Sequence, residues 1–216
     1  EIYVTNYLIF DMSSSGYLLY GTNAVGKTSF IKSIGIAIIM AQAGFFVPAS
    51  KFVFSPYRSI YARITGNDNI FKGLSSFMVE MVELNSIQKR ADKNTLIIGD
   101  EVCRGTEHTS GTALVAATIL KLSHVSASFI FATHLHDIME LDEINTLDHV
   151  KAFHISVDHD QKTDSLIFYR KLKEGIGNKL YGITVAKCII KDPDFIQMAQ
   201  NIKYKLLDTH EQIIPD

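Results

Sequence analysis

The sequence predicts an α/β fold: a largely parallel central sheet with an antiparallel edge and a C-terminal pair of helices. Three observations carry this expectation. Strand-like and helix-like apolar patterns alternate from residue 17 to residue 141, the order in which βαβ crossovers lay down parallel strands. Residues 95–99 and 128–132 are near-continuous apolar runs, as strands covered on both faces require. Between an apolar run at 17–20 and a helical pattern at 29–42 stands a Gly-x-x-x-x-Gly-Lys-Thr stretch, made of Gly21, Thr22, Asn23, Ala24, Val25, Gly26, Lys27 and Thr28. Strand, glycine loop and helix N-terminus in that order form a phosphate cradle, because loop N–H groups and the positive end of the helix dipole converge on an anion. A glycine-rich turn followed by a chance lysine is the plainer alternative.

A chain of 216 residues, 47% hydrophobic and 20% charged, can bury a core without disulfide or metal staples. Its formal net charge of −2 gives no basic footprint for nucleic acid, so a DNA partner would bind mostly elsewhere. Cys103 and Cys188 form neither a disulfide framework nor a metal-ligand spacing, which implies a reducing, intracellular setting. No apolar run reaches membrane-spanning length; the longest, at 34–40, is broken by Gly35 and bounded by Lys32 and Gln42. No signal peptide is visible and the chain starts at Glu1, so it reads as a piece of something longer.

Taken in order, residues 2–10 are β-branched and aromatic and should form a strand. Ser13, Ser14, Ser15 and Gly16 read either as a native turn or as a cloning scar. After the glycine loop, Phe30, Ile31, Ile34, Ile38 and Ala41 recur at helical spacing, and Gly44 stands where a C-terminal glycine would end the helix. Short strands are expected at 52–54 and 59–64, and Gly66, Asn67, Asp68 and Asn69 supply turn chemistry. A helix should start near Ser75 or Ser76, with Phe77, Met81, Leu84 and Gln88 on one side and Glu80 and Glu83 on another. Residues 103–110 read as a polar loop and 112–122 as a helix. Strands at 150–158 and 165–172 should form a hairpin at the sheet edge, and helices at 183–190 and 195–207 are split by Asp192 and Pro193.

The residue types at the ends of these elements carry the chemistry. Lys27 would reach β- and γ-phosphates as a mobile cation, the Thr28 hydroxyl would ligate Mg²⁺, and Ser29 completes the nucleotide-binding set. Asp100 and Glu101 follow the run at 95–99, where open α/β sheets place their ligands. Asp100 is placed to hold the Mg²⁺ shell and Glu101 to orient or activate an attacking water; on its own, an acid pair at a strand end is often merely solvated. His134 ends the run at 128–132 and could hydrogen-bond the γ-phosphate or the water, although a lone histidine is more often surface or core filler. His136 should be solvated, and no histidine pairing suggests a metal site. Ser75 and Ser76 read as a helix N-cap, and the same hydroxyls could instead meet a phosphate.

The motifs together resemble one family. The glycine loop at 21–28, Gly44-Phe-Phe-Val-Pro-Ala49, Gly73-Leu-Ser-Ser-Phe-Met-Val-Glu-Met81, Gly99-Asp-Glu-Val-Cys-Arg-Gly-Thr106, Phe131-Ala-Thr-His134 and Lys179-Leu-Tyr-Gly-Ile-Thr-Val-Ala186 stand in the order and spacing of the MutS mismatch-repair ATPase domain. The resemblance covers nearly the whole chain, and the run from Cys103 to Glu107 with the loop at 66–73 looks most like the branch of giant viruses and octocoral mitochondria, with plant organellar relatives. It implies a P-loop NTPase of the ABC-ATPase type, with an ATPase core at 1–174 and a helical dimerisation element at 175–216 of the same domain. Its cofactors would be ATP and Mg²⁺, and its sites would be composite, built by a two-fold homodimer or with a paralogous MutS subunit. Lys27, Thr28, Asp100, Glu101 and His134 match the phosphate, Mg²⁺, water-activating and sensing positions, and Asn23 matches an asparagine near the γ-phosphate. Ser75 and Ser76 match a signature loop that reaches the partner's nucleotide, and the loop from Arg104 to Glu107 matches one that crosses the dimer axis. Tyr3 and Arg170 align with the two faces of an adenine clamp; Tyr3 alone could equally be an ordinary strand aromatic.

Thr22 stands where the family has proline and Ala24-Val25 where it has Met-Gly, neither removing a phosphate ligand. Glu107 and His108 replace small hydroxyl residues, which alters the cross-dimer loop. Mismatched double-stranded DNA would be bound through domains this chain does not carry, and a MutL-type protein is a further implied partner; no membrane is. An SMC-type chromosome-maintenance ATPase shares the motifs but splits them around a long coiled coil. A nucleotide-gated dimerisation module with negligible turnover is the non-enzyme alternative, and a P-loop kinase leaves the tail helices unexplained.

Overall fold

Six strands form one sheet. In chain order they are β1 (Gly16–Tyr20), β2 (Ser59–Arg63), β3 (Thr95–Asp100), β4 (Ser128–Ala132), β5 (Val150–Asp160) and β6 (Ser165–Glu174), and across the sheet they run β2-β3-β4-β1-β5-β6. The pairs β2/β3, β3/β4, β4/β1 and β1/β5 are parallel, and the β5–β6 hairpin supplies the antiparallel edge. The helices are α1 (Lys27–Gln42), α2 (Ser76–Arg90), α3 (His108–His124), α4 (Asp142–Asn145), α5 (Tyr181–Ile189) and α6 (Pro193–Glu211), with a 3₁₀ turn at His136–Glu140. This computed structural model describes residues 4–22, 25–64, 76–160, 165–177 and 181–211. The α/β class, the mostly parallel sheet, its antiparallel edge and the C-terminal helices agree with the sequence expectation.

The chain forms two compact units, Glu1–Ser156 with Arg170–Gly177, and Val157–Tyr169 with Asn178–Asp216. The first holds the sheet core. Side chains alternate between the two faces of a strand, and the burial follows that period. Leu18, Tyr20, Ile97, Phe129 and Phe131 share one cluster with Leu84 and Ile87 of α2 and Val115, Ile119 and Leu122 of α3. The alternate residues, Leu19, Leu96, Ile98 and Ile130, are buried as well. Ile98 meets Gly35 of α1, where a Cβ would stand 2.6 Å from Ile98 Cδ1. Helices therefore cover β1, β3 and β4 on both faces, which is why those strands read as continuous apolar runs. In the second unit α5 packs on α6. Asp192 caps α6 through Oδ1, which accepts from the backbone N–H of Asp194 and Phe195, both at 3.1 Å.

Helix α1 ends as the glycine predicts. Gly44 is left-handed at φ 80, its N–H donates to the Ala41 carbonyl and that of Phe45 to the Met40 carbonyl, which is a Schellman closure. The serine run is a turn: Asp11 Oδ1 accepts from the Ser13 N–H and hydroxyl, and the Asp11 and Ser14 peptides exchange hydrogen bonds.

Four local expectations fail, each for a physical reason. Residues 4–10 are not a strand; the Asn6 side chain takes the place of a ladder, donating to the Arg170 carbonyl at 3.0 Å and accepting from the Leu172 N–H at 2.7 Å. Residues 52–54 are not a strand either. Beyond them Gln42 occupies both peptide groups of Tyr57, at 3.2 and 2.7 Å, and Phe52 and Phe54 face each other at 5.6 Å. Helix α3 begins at His108 rather than 112 because Glu107 caps it, accepting from the Ser110 N–H at 3.0 Å. On α2 the buried stripe is Glu80, Leu84 and Ile87, so Glu80 faces inward. The loop at 66–73, with its turn chemistry, lies outside the described residues.

Gly16 shows how tightly the sheet packs. A Cβ there would stand 2.3 Å from Phe129 Cζ, the tip of a ring with no exposed surface. Gly16→Ala should therefore destabilise the fold by about 1–3 kcal/mol through overpacking, read as a lower urea midpoint with an unchanged slope. An unchanged midpoint would mean that the ring has room to move.

Candidate functional site

Register builds the site. Leu19 pairs with Ala132, and Ala132 with Asp100, so β1, β4 and β3 end side by side. The row continues past the strands: the Glu101 N–H donates to the Ala132 carbonyl at 2.8 Å and the Thr133 N–H to the Leu19 carbonyl at 3.0 Å. The residues that leave this edge are Gly21 from β1, Asp100 and Glu101 from β3, and Thr133 and His134 from β4. Glu101 and Thr133 are pinned by those backbone bonds, and parallel sheets present ligands at this end.

From β1 the chain turns through the glycine loop into α1. Gly21 at φ 146 and Gly26 at φ 106 occupy backbone that residues with a Cβ resist. Gly26 is the α1 N-cap, with no side-chain cap and no acid in the first turn. The first turn of the helix itself thus sets no negative charge against the positive end of its dipole. Lys27 is 6% exposed. Its Nζ donates to the carbonyls of Gly21 at 2.6 Å and Thr22 at 3.0 Å, so the loop itself holds the ammonium beside the turn. Burial lowers the Lys27 pKa, opposed by the charges of Glu101 and Asp100. A phosphate here would restore the solvation that the ammonium has lost. Ser29 is exposed in the first turn.

One contact joins the two halves of the edge: Thr28 Oγ1 donates to Asp100 Oδ2 at 2.6 Å. Helix α1 thus reaches past the end of β4 to β3. The donor chemistry fits Mg²⁺, which takes hard oxygens at about 2.0–2.1 Å in an octahedron whose neighbouring ligands lie about 2.9 Å apart. A hydroxyl and a carboxylate oxygen already at near that separation can become adjacent ligands with little movement. No cluster of three or more His, Cys, Asp or Glu side chains suited to a metal occurs among the described residues.

The loop after β3 is unusual backbone. Glu101 has φ 51 and Cys103 φ 62, left-handed positions that non-glycine residues rarely take. Arg104 Nη1 pairs with Glu101 Oε2. The Glu101 charge is felt at both Lys27 and His134. His134 stands at the rim, and partial burial leads in holding its pKa below the ordinary 6.5, with Glu101 opposing. The neutral ring is the form the fold prefers. That preference contributes stability above pH 6.5 and is lost as pH falls through the folded value. His136 is half-buried and stacks on Tyr20, with centroids 5.0 Å apart, so the expectation of a solvated ring fails.

Other expected site residues fall elsewhere. Arg170 is exposed on β6, with β5 between it and β1. Tyr3, Asn23, Ala24 and Ser75 lie outside the described residues, and of Ser76 only its place at the start of α2 is described. Two roles were missed in the sequence, the cap made by Glu107 and the burial of Glu80. Glu107 is held ionised, with a pKa near 2 set first by Ser110 and then by Thr106. Glu80 is buried, and its Oε1 accepts from the Cys103 N–H at 2.9 Å. The signal for Glu80 was its spacing, three residues after Phe77 and four before Leu84, which puts it on the same helical face. Cys103 is 2% exposed, and its thiol is pushed up to about 12 by burial and then by Glu80, so it is inert.

The chain is similar to known proteins along most of its length. The family model described as MutS domain V matches residues 17–207. The chain is 49% identical over 205 residues to a mutS homolog of Acanthamoeba polyphaga mimivirus, covering 93% of this chain and 18% of that relative. It is 41% identical over 196 residues to the mitochondrial DNA mismatch repair protein mutS homolog of Sarcophyton glaucum, covering 91% and 19%. To the DNA mismatch repair protein MutS of Lactobacillus delbrueckii subsp. bulgaricus it is 40% identical over 187 residues, covering 86% and 21%. The chain therefore spans about a fifth of the length of these relatives. No helix among the described residues is long and apolar enough to cross a membrane.

Proposed function

The chain belongs to the MutS family, matching its domain V, and from that premise we propose that it binds Mg²⁺–ATP at the β1–α1 loop and hydrolyses it. The observation that supports the reading is the Thr28–Asp100 contact at 2.6 Å, which joins the start of α1 to the acid at the end of β3. In this reading the α1 N-terminus and Lys27 hold the β- and γ-phosphates, and Thr28 and Asp100 hold Mg²⁺, which would withdraw charge from the phosphoryl oxygens. Glu101 takes a proton from the attacking water as its oxygen bonds to the γ-phosphorus. The β–γ bridging P–O bond breaks, and ADP leaves with the electron pair. His134, neutral at pH 7, orients the water or senses the γ-phosphate. Tyr3 and Arg170 are proposed for adenine, and Asn23 for the γ-phosphate region.

The same proposal assigns the site to two chains. Ser75 and Ser76 would complete a partner's nucleotide site, the partner being a second copy or a paralogous subunit. The exposed stripe on α6, Phe195, Met198 and Ile202 at 45, 58 and 59%, supports a dimerisation element in 175–216, because such a stripe gains by mutual burial. Nucleotide state would then be coupled to the clamp of a mismatch-repair protein. Mismatched DNA and a MutL-type protein would be met by the four fifths of the relatives that this chain does not span. The 49% identity to the mimivirus relative supports the giant-virus branch.

Glu101→Gln should leave nucleotide affinity within about threefold while cutting phosphate release by a factor of about 10² or more, the range of a lost general base. Undiminished hydrolysis would remove Glu101 from that role. Turnover per chain should also fall on dilution, since shared sites dissociate by mass action; a constant value would place the whole site within one chain.

A further inference from the structure

Glu80 is 5% exposed, and a carboxylate that deep needs partners to offset its desolvation. Its Oε1 accepts from the Cys103 N–H at 2.9 Å, and Arg63 Nε stands 3.7 Å from the same oxygen. Arg63 Nε also lies 3.1 Å from Glu83 Oε2. Three elements converge here: β2 through Arg63, α2 through Glu80 and Glu83, and the loop after β3 through Cys103.

That loop carries two side-chain-bearing residues at positive φ. Glu101 and Cys103, two residues apart, both take left-handed backbone, which side-chain-bearing residues adopt at a cost. Cys103 therefore keeps its conformation because its surroundings fix it, and the Glu80 carboxylate is the group that takes its N–H. A second contact lies just beyond. A Cβ on Gly105 would stand 3.0 Å from Phe77 Cβ and 3.5 Å from Phe77 N, so the loop lies flush against the first turns of α2.

We infer that Glu80 is a positioning residue for Glu101: by holding the left-handed turn at Cys103 it ties the direction of the Glu101 carboxylate to the position of α2. The inference rests on the reading of Glu101 as the group that activates water. It adds that α2, which opens at Ser76, and the carboxylate at the end of β3 move as one piece. Displacing the start of α2 would displace the water-activating group with it.

The test compares Glu80→Ala, Glu80→Gln, Glu80→Asp and Glu101→Gln in this chain by three measurements. These are equilibrium binding of a fluorescent ADP, single-turnover phosphate release from Mg²⁺–ATP, and thermal melting. Glu80→Ala should slow phosphate release by about tenfold to 10²-fold, the loss expected from misplacing a reacting group by about 1 Å, with ADP affinity within about threefold of wild type. Glu80→Gln keeps an oxygen for the Cys103 N–H and leaves Arg63 its partner Glu83, so it should recover most of the rate. A merely structural role predicts otherwise, with binding and rate falling together and following the melting temperature. That pattern, or a wild-type rate in Glu80→Ala, overturns the inference. If Glu80→Ala does not fold, Glu80→Asp decides: its carboxylate is withdrawn by one methylene, and it must show the slow rate with intact binding. Wild-type hydrolysis in Glu101→Gln would instead defeat the reading of Glu101 itself, whereas a dead Glu101→Gln beside a normal Glu80→Ala would defeat only the role of Glu80.

Discussion

The whole arrangement depends on one constraint, the complete burial of three adjacent strands. β1 and β3 have no residue that is not buried, and β4 has only Ser128 partly open. Interior strands of this kind can carry no chemistry along their length, because an unpaired polar group there costs several kcal/mol. Polar function is displaced to the strand ends, and parallel pairing brings those ends to one side. The register then does the rest, setting Leu19, Ala132 and Asp100 in one row. The residues that follow them emerge together, and Thr28 closes the gap to Asp100 at 2.6 Å.

What the strands cannot supply is the direction of the groups just beyond the edge. The glycine loop solves this with residues suited to positive φ, at Gly21 and Gly26. The loop after β3 solves it with side chains that are not suited, at Glu101 and Cys103, each left-handed position costing roughly 1–2 kcal/mol. The offset comes from polar contacts around the turn. Glu80 takes the Cys103 N–H, Arg104 pairs with Glu101, and Glu107 caps α3 while accepting from the Thr106 hydroxyl. A rigid sheet edge on one side and a side-chain-held turn on the other give the site one part fixed by the fold and one part that α2 can move.

Most of the sheet was legible in the sequence because its signals are local. The runs at 95–99 and 128–132 became β3 and β4, the glycine loop introduced α1, and Gly44 closed that helix. Most of the failures share a cause, long-range polar contacts that no short window contains; the start of α3 is the exception, a local cap three residues long. Residues 4–10 look like a strand by composition, yet Asn6 binds the backbone of residues 170 and 172 with its side chain. Residues 52–54 have strand composition too, but Gln42 captures the peptide of Tyr57 just beyond them. Glu107 looked like a loop acid and is a cap. Glu80 was set with Glu83 on a side apart from Phe77, Met81, Leu84 and Gln88, yet it is buried, and its partner Cys103 lies 23 residues away. The glycine loop and the acids at the end of β3 were visible as motifs, while the contacts that hold the loop after β3 were visible only in three dimensions.

In the proposed function the Thr28–Asp100 contact is a Mg²⁺ site in waiting beside a phosphate cradle. The most direct measurement is the Mg²⁺ dependence of ADP and ATP affinity in the wild type and in Asp100→Asn, by calorimetric titration with and without chelator. Mg²⁺ should tighten nucleotide binding to the wild type, and Asp100→Asn should remove this gain while Mg²⁺-free affinity is kept. An equal Mg²⁺ gain in Asp100→Asn, or no nucleotide binding by the wild type, would contradict it.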